Sequence, residues 1–163
     1  MVMKKFEGLL EDLLARLKKL YRQRLVSVVV FGSVGRGAPR PDSDIDILIV
    51  AQPLPQGRMA RVREFAAIDE AMSGKMSRLA REGIFPSLAP IFKTPDEVGR
   101  GSLLFLDMIE DGRVLFDPSG FWNEYMKEFQ VRLQRLGARK VVQGDRWYWD
   151  LKPDYRPGDV FEI

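Results

Sequence analysis

The chain has 163 residues, of which 45% are hydrophobic and 30% charged, and it contains neither cysteine nor histidine. This length suits one ordinary domain with its own core. The composition excludes disulfides, thiolate nucleophiles and metal sites built from cysteine or histidine, so carboxylates are the metal ligands that remain. A net charge of +3 suits an anionic ligand but is too small to indicate nucleic-acid binding.

The N-terminal residues 1–20 carry charges throughout, and no apolar run approaches the roughly 20 residues needed to span a bilayer. We therefore expect a cytoplasmic protein with no membrane role. Leucine and aromatic side chains recur at three- and four-residue spacing over residues 4–21, which predicts an amphipathic helix packed on a sheet.

A run of apolar residues from Leu25 to Phe31 predicts a buried strand, and Gly32-Ser33 follows it directly. Glycine permits a sharp turn at this point, and residues 33–38 are expected to begin a short helix. The exposed N–H groups of that helix and the Ser33 hydroxyl predict a site for phosphate oxygens. Arg36 could add a forked cationic donor.

A second strand is predicted from Ile45 to Val50, returning beside the first. Because side chains alternate along a strand, Asp44 and Asp46 should share one face, roughly 6 to 7 Å apart. Such carboxylates, with phosphate oxygens opposite, suit Mg²⁺ or Mn²⁺. A simpler interpretation is that these residues form polar turns around two core strands. Two acids in an apolar strand are costly to bury without a cation or donors, which favours the metal site.

The block Gly32-Ser33, ten further residues and then Asp44-Ile45-Asp46 resembles the signature of the DNA polymerase beta nucleotidyltransferase superfamily. The pattern is most similar to the minimal branch of that superfamily. The resemblance implies a mixed-sheet α/β fold flanked by helices and Mg²⁺-dependent transfer of a nucleoside monophosphate from a triphosphate to an acceptor hydroxyl of a protein or small molecule. The residues implied to bind the nucleotide are Gly32, Ser33, Arg36 and Ser43, and those implied to bind metal and act in catalysis are Asp44 and Asp46.

Helical periodicity returns over residues 58–82, and the next strand is predicted within residues 84–93. The superfamily pattern includes a third acidic residue on such a strand, and this sequence departs from it. Ser87 or Ala89 stands where the acid is expected. Glu82, Asp107 or a partner chain could complete the site. Alternatively, the protein binds nucleotide or a partner and transfers slowly or not at all.

Thr94 to Glu97 has the pattern of a capped helix start, and that helix is expected to run with interruptions to residue 111. A short strand over residues 113–116 would close the nucleotidyltransferase domain, predicted as residues 1–116. Residues 117–163 are expected to add a helix ending at Gly137 and an aromatic tail, packed on the same domain. Trp147 and Trp149 would share one face of a strand, where covering the core is favoured over stacking on a base or a partner.

The resemblance also suggests a partner protein. Minimal nucleotidyltransferases often pair with HEPN-family proteins, in some cases as antitoxins that modify the toxin, and the aromatic tail could bind such a partner. Recognition of an RNA acceptor is a weaker alternative, because the sequence contains no recognisable RNA-binding module. The sequence leaves the preferred base, the acceptor and the oligomeric state open.

Overall fold

The computed structural model describes all 163 residues. The helices are α1 (Val2–Tyr21), α2 (Gly32–Gly35), α3 (Arg58–Arg81), α4 (Pro95–Gly99), α5 (Phe105–Asp111) and α6 (Phe121–Leu136). The strands are β1 (Leu25–Phe31), β2 (Asp44–Ala51), β3 (Ser87–Lys93), β4 (Arg113–Phe116), β5 (Arg139–Gln143) and β6 (Arg146–Asp150). None of the helices combines the length and the apolar character needed to cross a membrane.

Four strands form a mixed sheet in the order β3-β2-β1-β4. β1 is antiparallel to both β2 and β4, whereas β2 and β3 are parallel. The parallel pair is joined through α3, as a crossover connection requires. The predicted mixed-sheet α/β fold with flanking helices is therefore confirmed.

Two apolar cores lie on opposite faces of this sheet, because successive side chains of β1 and β2 point to opposite sides. Val28 and Ile47 belong to the first core, which α1 and α3 cover. Val29 and Leu48 belong to the second core, which α4, α5 and α6 cover. The apolar spacing of α1 accounts for its place, since six of its residues are buried against the sheet.

The elements differ from the sequence expectations in two places, at α2 and in the aromatic tail. α2 ends at Gly35, earlier than predicted, and Gly37 turns the chain with a φ of 77°. The helix after Thr94 has the expected capping box and the expected interruption, which divides it into α4 and α5 with Gly101 at a φ of 78° between them. The aromatic tail contains an antiparallel hairpin, β5 with β6, of which only one strand was anticipated.

Candidate active site

The turn after β1 brings a glycine against a carboxylate. Phe31 pairs with Asp46 across the antiparallel strands, so the residue after Phe31 leaves the sheet beside the Asp46 side chain. Gly32 has a φ of 66°, in the left-handed region that favours glycine. A Cβ atom at Gly32 would overlap Asp46 Oδ2 and would lie 3.4 Å from Asp46 Cγ. Both the left-handed backbone at Gly32 and the close approach of the Asp46 side chain therefore require glycine at this position.

Ser33 and Ser43 lie together at the next step of the same turn. The Ser33 hydroxyl donates a hydrogen bond to Ser43 Oγ at 3.0 Å, and the Arg40 backbone N–H donates to the same oxygen at 2.8 Å. Ser43 is buried. The structure thus brings together two hydroxyl residues that are ten positions apart in the sequence, and Ser43 holds the loop that precedes Asp44.

The two carboxylates of β2 are arranged as their spacing predicts. Ile45 and Ile47 point into the first core, so Asp44 and Asp46 face the side of the sheet that carries α5. Burial raises the pKa of the Asp46 carboxyl above its usual range, and the negative charge of Asp44 raises it further. Both effects are what a divalent cation between the carboxylates would offset. Oxygen donors of this kind fit Mg²⁺, and the site offers no nitrogen or sulfur ligand.

β3 carries Ser87 and Ala89 where the superfamily pattern has a third acidic residue, as the sequence indicated. In the parallel pairing of β2 with β3, Ser87 lies opposite Asp44 and Ala89 lies opposite Asp46. The Ser87 hydroxyl donates a hydrogen bond to Asp44 Oδ1. Accordingly, the structure contains no cluster of three or more acidic residues arranged to hold a metal ion.

A cavity of about 330 Å³ opens beside the Gly32 turn, near the lower end of the ~300–1,000 Å³ typical of ligand pockets. It brings acidic side chains of α5 to the same cavity as Asp46, whereas Asp44, Ser33 and Ser43 do not line it. The lining residues are Phe31, Gly32, Arg36, Asp46, Asp107, Asp111 and Trp147. Asp107 is exposed, and Asp111 forms an ion pair with Arg36. Arg36 therefore lies at the cavity but already has an acidic partner.

Of the residues considered as substitutes for the third acid, only one lines this cavity. Asp107 does so, whereas Glu82 forms an ion pair with Lys5 of α1. Sequence reasoning did not anticipate Asp111 or Trp147 at the cavity. The spacing of Asp107 and Asp111, four residues apart on one helix, puts both on the same face and could have indicated the pair. No local pattern indicated Trp147.

The basic start of α3 serves another part of the fold. Arg61 donates hydrogen bonds to both carboxylate oxygens of Glu97, at 2.7 and 2.9 Å, and to the Phe92 carbonyl at 3.2 Å. Phe92 is five residues along β3 from Ser87, which corresponds to roughly 16 Å at the usual strand rise. Arg61 therefore stabilises the far end of the sheet.

Comparison with known proteins agrees with this geometry. Residues 10–80 match the family model described as a nucleotidyltransferase domain. The match runs from α1 into α3 and contains the whole segment from Gly32 to Asp46, so the family resemblance inferred from the sequence is confirmed.

Similarity to individual proteins extends beyond the nucleotidyltransferase segment. MJ1305 of Methanocaldococcus jannaschii, which is named as a protein adenylyltransferase, is 24% identical over 146 residues, covering 88% of this chain and 94% of that protein. A chain from the crystal structure of a toxin–antitoxin with AMP-PNP shares the fold, with a TM-score of 0.50, 17% identity and coverage of 78% of this chain and 92% of that chain. A chain from the complex of a tri-AMPylated Shewanella oneidensis HEPN toxin with an MNT antitoxin has a TM-score of 0.45 and 14% identity, with coverage of 84% and 93%.

Proposed function

We propose that this nucleotidyltransferase moves AMP from ATP to a hydroxyl group of a protein in a Mg²⁺-dependent reaction. The observation that carries the proposal is the pairing of Phe31 with Asp46, which places the Gly32 turn against the carboxylate face of β2. AMP and a protein acceptor are favoured because the relative that covers 88% of this chain is named as a protein adenylyltransferase.

The proposed roles follow from the chemistry of each group. The Gly32-Ser33 turn and Arg36 bind phosphate oxygens, and Ser43 keeps the Ser33 hydroxyl in place. Asp44 and Asp46 would hold Mg²⁺, which when bound neutralises phosphate charge and favours in-line displacement. To bind phosphate, Arg36 must either release Asp111 or contact Asp111 and phosphate together. The ion pair between Arg36 and Asp111 is therefore expected to weaken when nucleotide binds.

The transfer itself is a displacement at the α-phosphorus of ATP. The acceptor oxygen forms the new bond to that phosphorus, the bond to the β-phosphate oxygen breaks, and pyrophosphate leaves. The hydroxyl proton needs an acceptor, and we assign this role to Asp107, because it is exposed and lines the same cavity as Asp46. Positioned base catalysis typically contributes about 10² to 10⁴-fold to a rate.

The experiment that tests the proposal has a binding arm and a transfer arm. Calorimetric titration with ATP, GTP, CTP and UTP, each with Mg²⁺ and then with EDTA, should show metal-dependent binding that the Asp44→Asn/Asp46→Asn variant loses.

Labelling of an acceptor protein from α-labelled ATP should fall about 10² to 10⁴-fold in Asp107→Asn. Asp96→Asn, which changes an exposed acid on α4, is the matched control and should label normally. Absence of nucleotide binding by the wild-type protein would refute the proposal.

A second candidate function is nucleotide or partner binding with little or no transfer. Ser87 in place of the third acid favours it, because the Ser87 hydroxyl bonds to Asp44 and adds no negative charge for a second metal ion. A HEPN-family protein, implied by the sequence resemblance, is the partner to test first. In this case the wild-type protein binds Mg²⁺ and ATP and forms a stable complex with a HEPN protein, yet transfers no label to it.

A further inference from the structure

Trp147 lies in the wall of the cavity that contains Gly32 and Asp46. Its side chain is 49% exposed, whereas Trp122 is 2% exposed and Trp149 packs against the second core. Phe31, the other aromatic residue of the cavity, is only 6% exposed because it belongs to that core. Trp147 is thus the aromatic side chain with a free surface at the candidate active site.

The orientation of Trp147 follows from the hairpin. Trp147 and Trp149 are two residues apart on β6, so they point to the same side of the strand. Trp149 covers the second core, which means that this side of the hairpin faces the domain. Trp147 lies two pairs nearer the hairpin turn than Trp149, at the cavity. Tyr148 points to the opposite side and is 51% exposed.

The ring of Trp147 is also held in place. Lys140 of β5 puts its Nζ atom 4.3 Å from the ring centroid, a cation–π contact. The same Nζ atom lies 2.8 Å from Glu110 Oε2, so the lysine ties the hairpin to α5. Lys140 lies above one face of the Trp147 ring, and the remaining exposed surface of the ring can stack on a planar group.

We propose that Trp147 stacks on the base of the nucleoside triphosphate, an inference that rests on the proposed function. The phosphates would lie at the Gly32 turn, and the base would extend along the cavity to the hairpin. Every base has an aromatic face, so stacking binds bases with little hydrogen-bond selectivity and prefers those that stack most strongly. The two tryptophans of β6 then differ in role: Trp149 covers the core, and Trp147 binds the ligand.

The test compares a ligand that has a base with one that lacks it. Calorimetric titrations with Mg²⁺-ATP and with Mg²⁺-tripolyphosphate are made on the wild-type protein, Trp147→Ala, Trp147→Phe and the control Tyr148→Ala. Trp147→Ala should weaken ATP binding by about 5- to 150-fold and leave tripolyphosphate binding unchanged. Trp147→Phe should restore most of the ATP affinity, and Tyr148→Ala should match the wild type for both ligands.

Other results would overturn the inference. Equal weakening of ATP and tripolyphosphate by Trp147→Ala would show that the ring supports the phosphate site and does not stack on the base. Unchanged ATP affinity, including the case in which only the KM for the acceptor protein rises, would remove Trp147 from nucleotide recognition while the proposed function stands. Failure of the wild-type protein to bind either ligand would overturn this inference and the proposed function together.

Discussion

Replacement of Gly32 by alanine tests whether the turn after β1 controls the position of the Asp46 carboxylate. The new Cβ atom would overlap Asp46 Oδ2 and lie 3.4 Å from Asp46 Cγ. Ordinary carbon contacts are at about 3.5 to 4.0 Å, so the carboxylate must move by roughly 1 Å to make room. Gly32→Ala therefore changes the geometry of the carboxylate face without removing any charge.

Two separate costs can be assigned to Gly32→Ala. The left-handed backbone at position 32, with a φ of 66°, costs an alanine about 1–2 kcal/mol of folding stability. Displacing Asp46 should weaken a charge-assisted contact worth about 1.5–3 kcal/mol, which corresponds to about 10- to 150-fold weaker binding of Mg²⁺-ATP. The first cost acts on folding, and the second acts on the ligand.

Gly120→Ala is the matched control for the folding cost of placing alanine in a left-handed backbone. Gly120 has a φ of 73°, and a Cβ atom there would meet nothing within 4 Å. Both variants should lose about 1–2 kcal/mol in urea unfolding at pH 7. Only Gly32→Ala should lose Mg²⁺-ATP affinity in calorimetry. Wild-type affinity in Gly32→Ala, or an equal loss in Gly120→Ala, would refute the assignment of Gly32 to the placement of Asp46.

Three further predictions concern the carboxylates. Asp46→Asn should raise the urea midpoint of the protein in EDTA at pH 7, because the raised pKa of Asp46 means that its charged form destabilises the fold. This gain should vanish as the pH falls below that pKa, and a lower midpoint at pH 7 would contradict the prediction. Hydrogen bonds from Arg61 lower the pKa of Glu97 to about 2 from 4.5, so Glu97→Gln should cost on the order of 1–3 kcal/mol at pH 7, after allowance for solvent screening. This cost should shrink as the pH falls from about 5 towards 2, and a pH-independent difference in urea unfolding would count against the ion pair. Ser87→Asp should strengthen Mg²⁺ binding by about 10- to 100-fold in calorimetry, because it adds a carboxylate beside Asp44, whereas a similar gain in the uncharged Ser87→Asn would show that charge is not the cause.

Most of the fold could be predicted from the sequence because its signals are local. The apolar run of β1 and the short β4 were anticipated at the bounds that the structure has, and the Thr94 capping box and the helix end at Gly137 were also recognised. The interruption between α4 and α5 was also expected, whereas the hairpin of β5 with β6 was missed as a pair, because only one of its strands was anticipated. β5 carries charged and polar residues on an exposed ribbon, so its apolar alternation is weak.

The sequence by itself determined the glycine turn after β1, the shared face of Asp44 and Asp46, and the absence of an acid on β3. All three depend on residue type and on the two-residue period of a strand, which act within a few positions of the chain. Only the tertiary structure decided that Ser87 lies opposite Asp44, that Asp107 and Asp111 line the Asp46 cavity, and that Trp147 reaches it. These contacts join segments tens of residues apart. The first arises from the parallel pairing of β2 with β3, and the others arise because α5 and the hairpin both pack against the second core on the face that carries the carboxylates.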